Sequence, residues 1–216
     1  MSTILIIMEI NSLLSLGGPV VYILIILSIY ALAIILYKLH VFYKVEFFKE
    51  TLVPVSVDSW TAGNHKDAYA AINKVNRPEA EVVSFAMYQS LKHTKPTAKV
   101  DSDIREEISR LSDERIDFYS SRLNSLQVIA TIAPLLGLLG TVFGMIDAFQ
   151  EMETAGKNVD PSLLSGGIWE ALLTTAAGLS LAIPVVVCES YFRSLIEELK
   201  TKIENSVTKV LTAKIN

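Results

Sequence analysis

The chain has 216 residues, 51% hydrophobic and 19% charged, with a formal net charge of -4 and a mean hydropathy of +0.41. That balance, with no Lys/Arg stripe interleaved with aromatics, argues against nucleic-acid binding. One cysteine, three scattered histidines (His40, His65, His93) and no phosphate-binding or nucleophile-elbow motif leave no basis for a disulfide, a metal centre, a cofactor or an enzyme.

Residues 1–16 are apolar with one charge, Glu9. They lack the basic start and cleavage site of a secretory signal, so residues 1–18 are expected to form a short interfacial amphipathic segment. Gly17-Gly18-Pro19 then breaks the chain and opens a first membrane span over 19–38. Its centre is Ile, Leu, Val and Ala, which suits a helix facing lipid.

Residues 39–125 are expected to form a polar helical region. From Lys38 to Ser125 there are 13 Lys/Arg and 13 Asp/Glu, so it is charged but neutral. Leu52-Val53-Pro54 and Gly63-Asn64 are read as breaks that punctuate its first part. Short helices are predicted over Lys66–Val75 and Pro78–Leu91, with a connector over Lys92–Lys99. Asp103 and Glu106 suit a helix start. Ile104, Ile108, Leu111, Phe118 or Tyr119, and Leu123 then recur at steps of three and four. The pattern predicts one helix of about 45 residues that starts in water and continues into the membrane, since about 1.5 Å per residue suffices for both parts.

No charge occurs between Arg122 and Asp147, a run of 24 residues. This second span, 126–149, crosses a hydrocarbon layer of about 30 Å. It carries Thr141 and the glycines Gly137, Gly140 and Gly144, where lipid anchoring would need only Leu and Ile. Small residues let helix backbones approach closely within a bilayer. A loop is expected over 150–166 and a third span over 167–188. In that span Ala171, Thr175, Gly178 and Ala182 form a small-residue packing stripe, and Cys188 reads as a small buried hydrophobe. Residues 189–216 continue as an amphipathic helix with Phe192, Ile196, Leu199, Ile203, Val207 and Val210 on one side. The segment before the first span has no Lys/Arg and residues 151–165 have one, against 13 in 38–125 and five after Cys188. The N-terminus is therefore expected outside and both large polar parts in the cytoplasm.

Several polar groups fall inside the spans. Thr141 and Thr175 lie at similar depths on antiparallel helices, and Thr174 lies almost above Glu170. Back-bonding to the preceding turn would account for the threonines, and a first-turn acid reaching water would account for Glu170. Against that, intramembrane ionisable groups are functional candidates. Pro134 and Pro184 each free a carbonyl one turn earlier.

The stretches Ala133-Pro-Leu-Leu-Gly-Leu-Leu-Gly-Thr-Val-Phe-Gly-Met-Ile and Glu170-Ala-Leu-Leu-Thr-Thr-Ala-Ala-Gly-Leu-Ser-Leu-Ala-Ile-Pro184 resemble the MotA/TolQ/ExbB proton channel family, of the three-span ExbB/TolQ type. The resemblance implies an all-α integral membrane protein of the bacterial inner membrane. Three spanning helices, two extended into long cytoplasmic helices, would form a pentameric ring. The N-terminus would be periplasmic and the C-terminus cytoplasmic. The ring would surround the spanning helices of an ExbD/TolR-type partner that carries a proton-accepting Asp, and would engage a TonB/TolA-type protein. Thr141, Thr175 and Glu170 match the family's ion-pathway residues, with Thr174 an added hydroxyl beside them. Gly137, Gly140, Gly144, Gly178, Pro134 and Pro184 belong to the helix-packing set. The coupling ion would be the proton, with sodium as the alternative. The implied work is energising TonB-dependent outer-membrane transport. A TolQ-like role in Tol–Pal envelope maintenance, a sodium-driven homologue and a non-conducting scaffold are the other readings.

Overall fold

A computed structural model describes residues 18–45, 47, 52–93, 97–155 and 161–213. The described residues form α1 (Gly18–Lys44), α2 (Val53–Thr61), α3 (His65–Ile72), α4 (Pro78–Lys92), α5 (Ala98–Ser120), α6 (Leu123–Ala155) and α7 (Pro161–Thr212), with no strand among them. Three helical stretches are long and apolar enough to cross a membrane: Gly18–Lys44, Ala98–Thr154 and Ser165–Thr212. The amphipathic segment expected over 1–18 lies, but for Gly18, outside the described residues.

The fold divides into two compact units, one within residues 1–36 and 122–190, the other within 37–121 and 191–216. In the first, α6 and α7 run antiparallel, because the residues in contact rise in number along one helix as they fall along the other. Space at Gly144 is filled by Ala171, at Gly140 by Thr174, and at Gly178 by Ala133 and Gly137. The buried residues of α6 include Leu126, Ile129, Ala133 and Ala148; those of α7 include Ala171, Thr174, Ala182 and Val185. Steps of three and four put each set on one helix face. Both helices run through their prolines, Pro134 and Pro184. On α1, Val20 and Leu24 complete a core with Ala133 and Ala182.

The second unit is built around rings. Phe42 is buried and stacks on Phe192 at 5.6 Å, with Tyr119 at 5.9 Å and Phe47 at 5.1 Å. Trp60 is buried and its Nε1–H donates to the Val210 carbonyl at 3.2 Å, so the tail of α7 is tied to α2 by a bond as well as by packing. α4 buries Val82, Val83, Ala86 and Met87. α5 is the solvated helix: it buries only Ile108 and Tyr119, and its outer face carries the pairs Arg105–Asp101 and Arg110–Glu107.

The structure corrects five expectations. The single helix of about 45 residues is broken: α5 ends at Ser120, α6 begins at Leu123, and Arg122 lies between them at φ 65. The cause is local. The hydroxyls of Ser120 and Ser121 donate to the Asp117 and Phe118 carbonyls at 3.2 and 2.8 Å, competing with the helical ladder. α5 starts at Ala98 with Thr97 as its cap, whose oxygen accepts from the Val100 N–H, and Asp103 sits inside the helix. The loop over 150–166 is shorter, because α6 continues to Ala155 and α7 starts at Pro161. Gln150, Glu151 and Met152 are good helix formers, and proline suits a first helical position. The segment over Val53–Thr61 is helical, with Pro54 near its start and Gly63 just beyond it at φ 95. Finally, the packing stripe of α7 runs through Thr174, with Thr175 half-buried beside it.

Candidate functional site

The α6–α7 pair holds most of the polar groups singled out inside the spans. Glycines on α6 bring the helices together. A Cβ added to Gly137 would stand 2.9 Å from the Thr174 main-chain oxygen and 3.0 Å from the Thr175 Cα, so only glycine fits between the backbones.

Thr174 occupies this contact. It is 2% exposed, and its Oγ1 lies 2.7 Å from the Ala171 carbonyl of its own helix and 3.2 Å from the Gly137 carbonyl across the interface. A hydroxyl has one hydrogen, so it donates to one of these at a time. Thr175 donates across the interface to the same Gly137 carbonyl at 3.1 Å. Thr141 donates to the Leu138 carbonyl, 2.6 Å away in the preceding turn. The hydrogens of Thr141 and Thr175 are thus held by main-chain carbonyls, and their oxygen lone pairs remain as acceptors.

The two flanks of the pair differ. Thr141 follows the contact residue Gly140, and Thr175 follows the contact residue Thr174. Each is turned about 100° from the contact in the direction of chain advance. In antiparallel helices that sense of rotation leads to one common flank, so Thr141 and Thr175 share a side. Residues that follow other contact positions, Leu138, Leu172, Leu179 and Ile183, are exposed on this flank at 44–62%.

Residues that precede contact positions define the opposite flank. Leu136, Ala177 and Leu181 do so, and they pack into the core that α1 completes through Val20 and Leu24. Asp147 and Glu170 precede Ala148 and Ala171, and they are close enough to interact electrostatically. Among the described residues, the first helix therefore covers one flank and leaves the threonine flank open. Of the four polar positions expected along the ion route, the structure brings Thr141 and Thr175 to one side, sets Thr174 in the helix contact and puts Glu170 on the α1 side. Gly137, Gly140, Gly144 and Gly178 all lie in the contact. Among the described residues, no group of three or more His, Cys, Asp or Glu is placed to hold a metal ion.

Sequence reasoning missed Lys38 in the second unit. It is 1% exposed, and its Nζ donates to the Tyr119 carbonyl at 2.7 Å, in the last turn of α5. A cation on the C-terminal carbonyls suits the helix dipole. The available signal was a lysine in phase with the buried stripe Ala31, Ile34, Phe42.

Comparison with known proteins bears on this helix pair directly. Residues 74–205 match the model of the MotA/TolQ/ExbB proton channel family. The chain is similar to a biopolymer transport protein ExbB homologue of Methanothermobacter thermautotrophicus, 28% identical over 189 residues, covering 87% of this chain and 64% of that protein. It is similar to the biopolymer transport protein exbB1 of Vibrio cholerae, 35% identical over 112 residues, or 51% and 49% of the two chains. It is also similar to the Tol-Pal system protein TolQ of Haemophilus influenzae, 32% identical over 107 residues, 49% and 46%. The matches span between about half and two thirds of these relatives' lengths.

Proposed function

Because this chain belongs to the MotA/TolQ/ExbB proton channel family, a family of multi-pass membrane subunits, we propose that it is the ring-forming subunit of an ion-driven motor. In this reading five copies form a ring in the inner membrane, with N-termini periplasmic and C-termini cytoplasmic. The ring encloses the spanning helices of an ExbD/TolR-type partner, and proton flow moves those helices against it. The work is passed through a TonB/TolA-type protein to outer-membrane transport. Biopolymer transport is the description carried by two of the relatives named above, one of which matches 87% of the chain, and this favours the ExbB type over the TolQ type.

The observation that carries the proposal is the open flank with two threonines. Thr141 and Thr175 offer hydroxyl oxygens toward whatever occupies that side, with their hydrogens held by carbonyls. A threonine does not titrate near neutrality, so these groups can line a proton route but cannot store the proton. An ionisable group on a partner helix supplies that step. We assign Thr141 and Thr175 to the lining and Thr174 to the helix contact; Glu170, on the α1 side, lies outside that lining. The Lys/Arg bias of the sequence supports the orientation.

The test is Thr141→Ala and Thr175→Ala, each introduced in place of the wild-type gene. Native mass spectrometry should show an unchanged assembly, while uptake that depends on the proton-motive force is lost. Undiminished uptake in both variants would refute a conducting role and leave a passive scaffold.

A further inference from the structure

The second unit contains a cavity of about 480 Å³ that the conducting reading does not use. Its volume falls in the range of about 300–1,000 Å³ typical of small-ligand sites. Its described lining includes the apolar residues Phe47, Pro54, Val57 and Leu199. Among the described lining residues it also carries three cations, Arg77, Lys202 and Lys209, and one carboxylate, Glu79. Glu79 is 5% exposed and accepts from Ser206 Oγ at 3.3 Å, so its charge is turned into the protein. The two lysines have partners outside the lining: Lys202 pairs with Glu198 at 2.7 Å and Lys209 with Asp58 at 3.7 Å. All four of these side chains are more than half exposed, and such surface pairs are worth about 0–1 kcal/mol, so they open readily for a better anion.

We propose that this cavity is a binding site for a small organic anion, a phosphate monoester with a compact apolar body. The body rests on Phe47, Val57 and Leu199. The phosphate is held by Lys202 and Lys209, with Asn205 beside them as a further hydrogen-bond donor. Charge-assisted bonds to phosphate are about twice as strong as neutral ones, which makes the lysines the dominant contribution. The site draws on α2, α4, α7 and the residues that follow α1. It stands independently of the proposed conducting role.

The experiment is calorimetric titration of 1-naphthyl phosphate into the full-length protein in nanodiscs, with empty nanodiscs subtracted. Saturable binding is expected, weakened about tenfold or more in Lys202→Gln/Lys209→Gln. Asn205→Trp places an indole at the cavity and should abolish binding; thermal unfolding checks that each variant is folded. Inorganic phosphate and 1-naphthol, each carrying one half of the recognition, should bind about tenfold more weakly or worse. Absence of saturable binding overturns the proposal, as does equal binding in wild type and both variants. Binding of inorganic phosphate as tight as that of the ester overturns the apolar half of it.

Discussion

Gly178 faces the main-chain carbonyl of Ala133 so closely that a methyl group added to it would stand 2.5 Å from that oxygen. The obstacle is backbone, which no side-chain rotation relieves. Gly178→Ala should therefore force α6 and α7 apart along their whole contact. Overpacking costs about 1–3 kcal/mol, and a backbone clash belongs at the upper end. A lowered midpoint in thermal unfolding of the nanodisc-embedded protein checks this. A midpoint equal to wild type would mean that the helices are not in this register.

At Gly140 the neighbour is a side chain, and the outcome should differ. A Cβ there would stand 2.5 Å from Thr174 Oγ1 and 2.6 Å from Thr174 Cβ. Gly140→Ala alone should destabilise the pair by about 1–3 kcal/mol. Thr174→Ala alone loses a hydroxyl bond worth about 1 kcal/mol. Together they should cost less than the sum, because the second removes the Oγ1 and Cγ2 that the first collides with; the Cβ at 2.6 Å stays, so the relief is partial. A double-mutant cycle on unfolding free energy should give a favourable coupling of about 0.5–1 kcal/mol, the low end for residues in contact. Strict additivity would show that the two residues do not touch.

Lys38 supports a prediction about the end of α5. Its Nζ satisfies the Tyr119 carbonyl at 2.7 Å in a place where the lysine itself is buried. Lys38→Met keeps the volume and removes the donor. An orphaned buried carbonyl costs about 1–3 kcal/mol. Amide hydrogen exchange should quicken in the last turn of α5, near Tyr119 and Ser121, while exchange in α4 stays unchanged. Uniform loss of protection across both helices would assign Lys38 to general packing of the unit.

The three spans were legible because charge-free runs are long and unambiguous, and the family was legible because Ala133–Ile146 and Glu170–Pro184 carry residue types at fixed spacing. The phase of the α7 stripe was not. Thr174 and Thr175 are adjacent and chemically alike, and only the register against Gly137 and Gly140 decides which is buried. The same holds for the flanks: that Thr141 and Thr175 share a side, opposite Glu170, depends on the antiparallel pairing of two helices far apart in sequence. The break at Arg122 was hidden because neither proline nor glycine marks it. Ser120 and Ser121, whose hydroxyls compete with the helical ladder, are its visible sign in the sequence. Pro54 misled in the opposite sense, since a proline that ends one helix also starts another.

Glu79 gives the second unit a pH dependence whose sign can be worked out. Burial raises its carboxyl above the ordinary carboxylate value, and the Ser206 hydrogen bond, Lys202 and Arg77 offset this only in part. The folded state therefore binds the proton at higher pH than the unfolded chain does. Between the two pKa values the folded state holds more protons, so stability rises as pH falls. The contribution is fully present below the unfolded carboxylate pKa and is lost as pH rises through the raised folded value. Glu79→Gln mimics the neutral acid at every pH. It should unfold at a higher temperature than wild type at pH 7.5, with the difference shrinking as pH is lowered toward the ordinary carboxylate range. Melting of the full-length protein in nanodiscs across that series measures both effects. A Glu79→Gln protein less stable than wild type at pH 7.5 would mean that the charged carboxylate, through Lys202 and Arg77, holds α4 to α7 more strongly than burial penalises it.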